Sequence, residues 1–137
     1  MKSKKRLIAI LFLNLSMLFC ACFYNSIDYE NHKESIIEVA LVYVNENTEE
    51  VENLKILSEI ERDSFLTELS KLKRNSSDFA KLKGHCIKIT YIDDSYSIIG
   101  VKVATRFSSY HEYMNLENGI ASKDDLILLL SKYIELE

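Results

Sequence analysis

Between residues 35 and 57 the chain alternates one strong apolar run, one polar stretch and one weaker apolar run. Ser35 to Val44 (SIIEVALVYV) is dense in β-branched residues with apolar groups at both parities, the pattern of a strand buried on both faces. A helix can also be drawn through Ile36, Val39, Ala40 and Tyr43, so this run leaves two readings open. Asn45 to Glu50 is a polar turn, and Val51 to Leu57 predicts a second strand paired with the first. Ser58-Glu59-Ile60-Glu61 has capping-box spacing, in which the hydroxyl and the later carboxylate each satisfy an orphan amide. Phe65, Leu66, Leu69 and Leu72 follow at helical spacing and predict a helix over 59–73. Ile60 is out of phase with that stripe, which allows a start nearer Asp63. Arg74 to Gly84 reads as a polar loop carrying Phe79 and Leu82.

In the second half, His85 to Ile92 alternates, with Ile87, Ile89 and Tyr91 on one face and Lys88 and Thr90 on the other. Asp93-Asp94-Ser95 predicts a tight hairpin turn. Tyr96 to Phe107 reads as one long strand, with Gly100 placed where a bulge resets the phase. Tyr110 to Met114 is a further candidate strand, ending before an Asn118-Gly119 turn. Ser122-Lys123-Asp124-Asp125 caps a last helix with Leu126, Leu129, Leu130 and Tyr133 as its buried stripe. The expected order is β-β-α-β-β-(β)-α. This is an α+β domain: an antiparallel sheet of four to five strands with two helices packed on one face. Over about residues 55–100, the capped helix and the run IKITYIDDSYSIIG resemble small uncharacterised bacterial lipoproteins whose hairpin carries a Tyr-x-Asp-Gly-x-Tyr pattern, here without its glycine. That resemblance implies no activity.

The first 22 residues change the picture by giving the domain an address. Lys2, Lys4, Lys5 and Arg6 precede an apolar run from Leu7 to Phe19, the layout of a secretory signal. The run is interrupted by Asn14 and Ser16 and falls short of the roughly 20 residues a spanning helix needs. Phe19-Cys20-Ala21-Cys22 resembles the lipobox of bacterial lipoproteins, with Phe19 where leucine is usual. The resemblance implies cleavage after residue 21 and acylation of Cys22, whose chains would bury about 0.8 kcal/mol per methylene in the bilayer. Cys20 is the weaker candidate, because bulky Phe19 directly precedes it. The competing reading is an uncleaved signal anchor, Leu7 to Phe23. Either places the rest of the chain outside the cytoplasm, in the cell envelope or at the surface. The expected organisation is a signal peptide over 1–21, a lipidated cysteine and tether over 22–33, and one domain over 34–137.

Charge follows from that division. The 137-residue chain carries 17 basic and 21 acidic residues, a net of −4. Four of the basic residues and none of the acidic ones lie in 1–21, so residues 22–137 have a net charge of −8. Such a domain repels phosphate backbones and anionic headgroups, which excludes nucleic acid and leaves the acyl anchor as the membrane contact. With Cys20 removed and Cys22 acylated, Cys86 is alone and no internal disulfide is available. The 47% hydrophobic content must supply stability through a core.

No assembled chemistry emerges from the motifs. His32, His85 and His111 lack a metal-ligand spacing, and no cofactor is implied. His85 and Cys86 are adjacent, so a regular strand sends them to opposite faces. A Cys86 nucleophile with His111 as base is the one enzymatic arrangement on offer. Ser70 to Lys73 matches S-x-x-K, but it closes a helix and lacks the partner motifs of penicillin-recognising enzymes. The acidic pairs Glu49-Glu50, Asp93-Asp94 and Asp124-Asp125 fit turns and a helix N-terminus, without the pattern of a calcium loop. Arg106, Phe107, Tyr110, His111 and Tyr113 form the candidate interaction surface, since aromatic residues and arginine are enriched at interfaces; sheet core is the alternative for these rings. These readings converge on a lipid-anchored, extracytoplasmic, non-catalytic binding domain with a possible protein partner. An inhibitor or immunity-type protein against a basic enzyme or toxin, a small envelope enzyme centred on Cys86, and a structural envelope component are the alternatives.

Overall fold

A computed structural model describes Tyr29, residues 31–75 and residues 80–137. The expected signal peptide, Cys22, most of the tether and Phe79 lie outside the described residues. A short 3-10 turn (Lys33–Ser35) leads into β1 (Ile36–Val44) and β2 (Val51–Ile56). Helix α1 (Glu59–Ser70), the two-residue β3 (Arg74–Asn75), β4 (Gly84–Tyr91), β5 (Tyr96–Ile99), β6 (Val103–Phe107), β7 (Tyr113–Ile120) and helix α2 (Lys123–Ser131) follow. The strands form one antiparallel sheet in the order β2-β1-β4-β5-β6-β7-β3.

This corrects the expected four-to-five-stranded sheet with two helices on one face. The described chain is mostly sheet, with seven strands curled into a half-barrel and two helices as the minority. Neighbouring strands rotate by roughly 20–25° each, so a sheet of this width curls rather than staying flat.

The extra strands are β3, inside the expected polar loop 74–84, and the second half of the expected 96–107 strand. Tyr96 to Phe107 is not one strand, because the chain reverses over Gly100, Val101 and Lys102. Lys102 adopts φ +65°, and Gly100 N donates to Val103 O at 2.9 Å. What resembled a bulge in the pattern is a corner between β5 and β6, paired through Ile99 and Ala104. Asn118-Gly119 is likewise not a turn but the interior of β7. A Cβ on Gly119 would lie 2.1 Å from Val103 N and 2.6 Å from Gly100 O. Glycine is needed there for close backbone approach, not for reversal.

The elements themselves have local causes. β1 is buried on both faces: Val39 and Leu41 join the larger apolar cluster, while Ala40, Val42 and Val44 join the smaller. This settles the strand-or-helix choice left open by its pattern. Both capping-box hydrogen bonds are present at α1, with Glu61 N donating to Ser58 Oγ and Ser58 N to Glu61 Oε2. The helix therefore starts at Glu59 and leaves Ile60 in solvent, and it ends at Ser70 rather than 73. Ser122 accepts from Asp125 N and caps α2. Phe65, Leu66 and Leu69 of α1 and Leu126, Leu129 and Leu130 of α2 are buried in the larger cluster with Ile87, Ile89, Ile99 and Ile120. Tyr133 is only partly buried, its ring edge-on to Phe65 at 5.2 Å.

The Asp93-Asp94-Ser95 turn forms as the pattern predicts. Asp94 takes φ +65°, the conformation glycine favours, and its N–H donates to Tyr91 O at 2.9 Å. Ser35 lies beside this turn, where Ile92 N donates to Ser35 O at 2.9 Å.

Candidate functional site

Successive residues of a strand point to opposite faces, and on β6 this alternation divides the expected surface. Arg106 goes to one side. Its guanidinium carbon stands 3.9 Å from the centroid of the Tyr91 ring, and Nη2 donates to Ser95 Oγ at 2.8 Å. Phe107 goes to the other side and stacks on Tyr96, with ring centroids 4.9 Å apart and planes 18° from parallel. Arg106 therefore does not belong with Phe107, Tyr110, His111 and Tyr113 in one patch.

The side bearing Phe107 is an aromatic shelf. His111 Nδ1 lies 3.1 Å from Tyr96 Oη, and the Lys88 ammonium stands 4.6 Å from the Tyr96 ring centroid. Burial between these neighbours raises the Tyr96 phenol pKa above its ordinary value. The β6–β7 loop is fixed by Ser108, whose Oγ accepts from Tyr110 N and Glu112 N while its carbonyl accepts from His111 N. His111 takes φ +64° within this loop, and Tyr110 at its tip is 84% exposed. Tyr113 pairs with Phe107 across the strands and is 60% exposed.

The exposure continues down β7, where Met114 is 57% and Leu116 53% exposed. β3 pairs only with Gly119 and Ile120. Among the described residues, 113–118 therefore have β6 on one edge and no strand on the other. Sequence reasoning found the aromatic residues of this region and missed the edge. Met114 and Leu116 carry an alternating signal, but the expected turn at Asn118-Gly119 cut the strand short.

The side bearing Arg106 holds a cavity of about 450 Å³, lined by Tyr29, His32, Ser35, Tyr91, Ile92, Asp93 and Arg106. Asp93 Oδ1 accepts from Ser95 N at 3.0 Å and from Ser95 Oγ, so Ser95 joins the carboxylate to the guanidinium. The Ser95 hydroxyl and amide hold the Asp93 carboxyl below its ordinary pKa. Tyr29 is fully buried, and among the described residues its Oη meets no partner in good hydrogen-bond geometry; burial raises its phenol pKa, while the charge and proximity of the Arg74 guanidinium act to lower it. Arg74 Cζ stands 4.9 Å from the Tyr29 ring centroid. No local signal marked Tyr29, which the sequence assigns to the tether. Only folding places it beside residues more than 60 positions away.

The remaining candidates are dispersed. Cys86 is fully buried, its Sγ contacting Lys83 O at 3.7 Å, and burial pushes its thiol pKa up to about 12. The contacts of His111 lie with Tyr96, while His85 sits edge-on to Tyr43 with its Nδ1 buried and unpaired. No group of three metal-ligating side chains comes together among the described residues. Among them, too, no helix is long and apolar enough to cross a membrane.

No family model, curated protein or solved structure matches this chain. Its functional reading therefore rests on its own residues.

Proposed function

We propose that this chain is a lipid-anchored, extracytoplasmic binding domain without catalysis, and that it contacts a protein partner along the outer edge of β7. The observation that carries the proposal is that Tyr110, Tyr113, Met114 and Leu116 are exposed where, among the described residues, no strand pairs with the outer edge of β7 over 113–118. An open edge offers unpaired N–H and C=O groups, and natural proteins ordinarily blunt such edges with charge, proline or a cover. A partner that adds a strand obtains main-chain hydrogen bonds from the edge and specificity from alternate side chains. Tyrosine and methionine are enriched at such contacts. The anchor rests on the leader's basic start, short apolar run and lipobox-like end at Cys22.

The net charge of −8 over residues 22–137 favours a basic partner, and this supports the inhibitor or immunity-type form of the proposal. The enzymatic alternative at Cys86 is disfavoured, because a fully buried thiol held toward its neutral form is a poor nucleophile.

The test is affinity capture by the full chain from crosslinked envelope and secreted extracts, repeated with Tyr113→Ser and Leu116→Lys. The expected outcome is one stoichiometric, basic protein retained by the parent chain and lost from both variants, with their melting transitions preserved. Capture indifferent to both substitutions would remove β7 as the contact, and reproducible capture of nothing would sink the binding role. The anchor is tested by the mass of membrane-extracted protein. An acylated N-terminus at Cys22 is expected, and a retained Met1 would overturn it.

A further inference from the structure

The cavity beside Arg106 lies across the sheet from the aromatic shelf and takes no part in the proposed β7 contact. Its volume of about 450 Å³ falls within the roughly 300–1,000 Å³ of small-ligand pockets. One wall comes from Tyr29, His32 and Ser35, the other from the β4–β5 turn and β6. The two are joined by the bond from Ile92 N to Ser35 O, so the cavity is held by backbone as well as side chains.

Arg106 is held before any ligand arrives, its guanidinium against Tyr91 and one nitrogen on Ser95 Oγ. A guanidinium carries five N–H donors in a planar fork, so this single bond leaves an edge that suits a carboxylate. Asp93 is fixed from the other side of the same Ser95, and both Ser95 bonds go to Oδ1. Its Oδ2 takes neither of these two bonds. A purely anionic ligand on Arg106 would meet the charge of Asp93, and a purely cationic one on Asp93 would meet Arg106. A ligand with an ammonium and a carboxylate on one carbon satisfies both. Ile92 and the tyrosine rings give the pocket apolar walls.

We propose that this cavity binds a free α-amino acid. Its carboxylate lies on Arg106, its ammonium on Asp93, and its side chain runs toward Tyr29.

Titration calorimetry on the full chain in detergent tests this with L-glutamine, L-serine and L-leucine, each beside its N-acetyl and carboxamide derivatives. The expected result is saturable binding of at least one free amino acid, weakened about tenfold or more by blocking either charged group. Asp93→Asn keeps the Oδ1 acceptor that supports the turn, and it should abolish discrimination against the N-acetyl form. Arg106→Gln should abolish discrimination against the carboxamide, with the parent melting transition confirming that each variant is folded. Equal binding of the free and N-acetyl forms by the parent chain would make this a plain anion site and overturn the proposal. Absence of saturable binding by all three amino acids at millimolar concentration would overturn it as well.

Discussion

Burial decides what Cys86 can do. Its thiol sits under the sheet with Gly100 so close that an added Cβ there would stand 3.1 Å from Sγ. At mildly alkaline pH a thiol shifted up to about 12 holds almost no thiolate, which is the reactive form. A maleimide should therefore leave the Cys86 peptide unlabelled in the folded protein and label it fully in denaturant, as read by peptide mass mapping. Carboxylates at the surface act in the opposite sense. The Lys55 hydrogen bond holds Glu61 below its ordinary pKa, and the Lys132 hydrogen bond does the same for Glu68. In both cases the unfolded chain takes up the proton at higher pH than the folded one. Their stabilisation is thus complete above the ordinary glutamate pKa and is lost as pH falls through the depressed folded values. The melting temperature should fall between neutral pH and about pH 3, and Glu61→Gln with Glu68→Gln should make that fall shallower. An unchanged acid limb in the double variant would show that other groups carry it.

At the scale of the element, the two central corrections meet at one place, where the Gly100–Lys102 corner is hooked to the end of β7. Ile120 N donates to Gly100 O at 2.9 Å, and Lys102 N donates to Ile120 O at 2.7 Å. These bonds bring the β7 backbone so near Val103 that only glycine fits at 119. Gly119→Ala should destabilise the domain by about 3 kcal/mol or more, because backbone rather than a flexible side chain blocks the methyl group. Gly84→Ala is the control: it also needs a positive φ, +69°, but a Cβ there meets nothing within 4 Å. It should cost about 1–2 kcal/mol, as measured by denaturant unfolding. Comparable losses at both positions would mean that the corner yields more readily than its geometry implies.

For the whole molecule, the half-barrel sorts the chemistry onto two sides. Arg106, Tyr91 and Asp93 line a cavity, while Phe107, Tyr96 and His111 form a shelf near the open edge. The charge of −8 over residues 22–137 is a property of the whole domain, and it acts on encounter more than on the bound state. Association with a basic partner should therefore slow as salt rises, with dissociation changing less, when followed by surface-based kinetics. An on-rate indifferent to salt would remove charge from the account of partner choice.

Patterns that act over a few residues were legible in advance: the capping box at Ser58, the N-cap at Ser122, the stripes Phe65-Leu66-Leu69 and Leu126-Leu129-Leu130, and the Asp93 turn. Each depends on hydrogen bonds or apolar spacing within one turn or one helix, so the chain carries them locally. The number of strands, the corner at Gly100, the place of Gly119 within β7 and the parting of Arg106 from Phe107 depended on which strand lies beside which. A glycine required by a backbone from elsewhere reads the same as a glycine in a turn, because the clash that demands it is absent until the chain folds. Tyr29 shows the same limit, since its burial beside Arg74 and its place in the cavity arise only when Ser35 bonds to Ile92 and the chain ahead of β1 meets the β4–β5 turn.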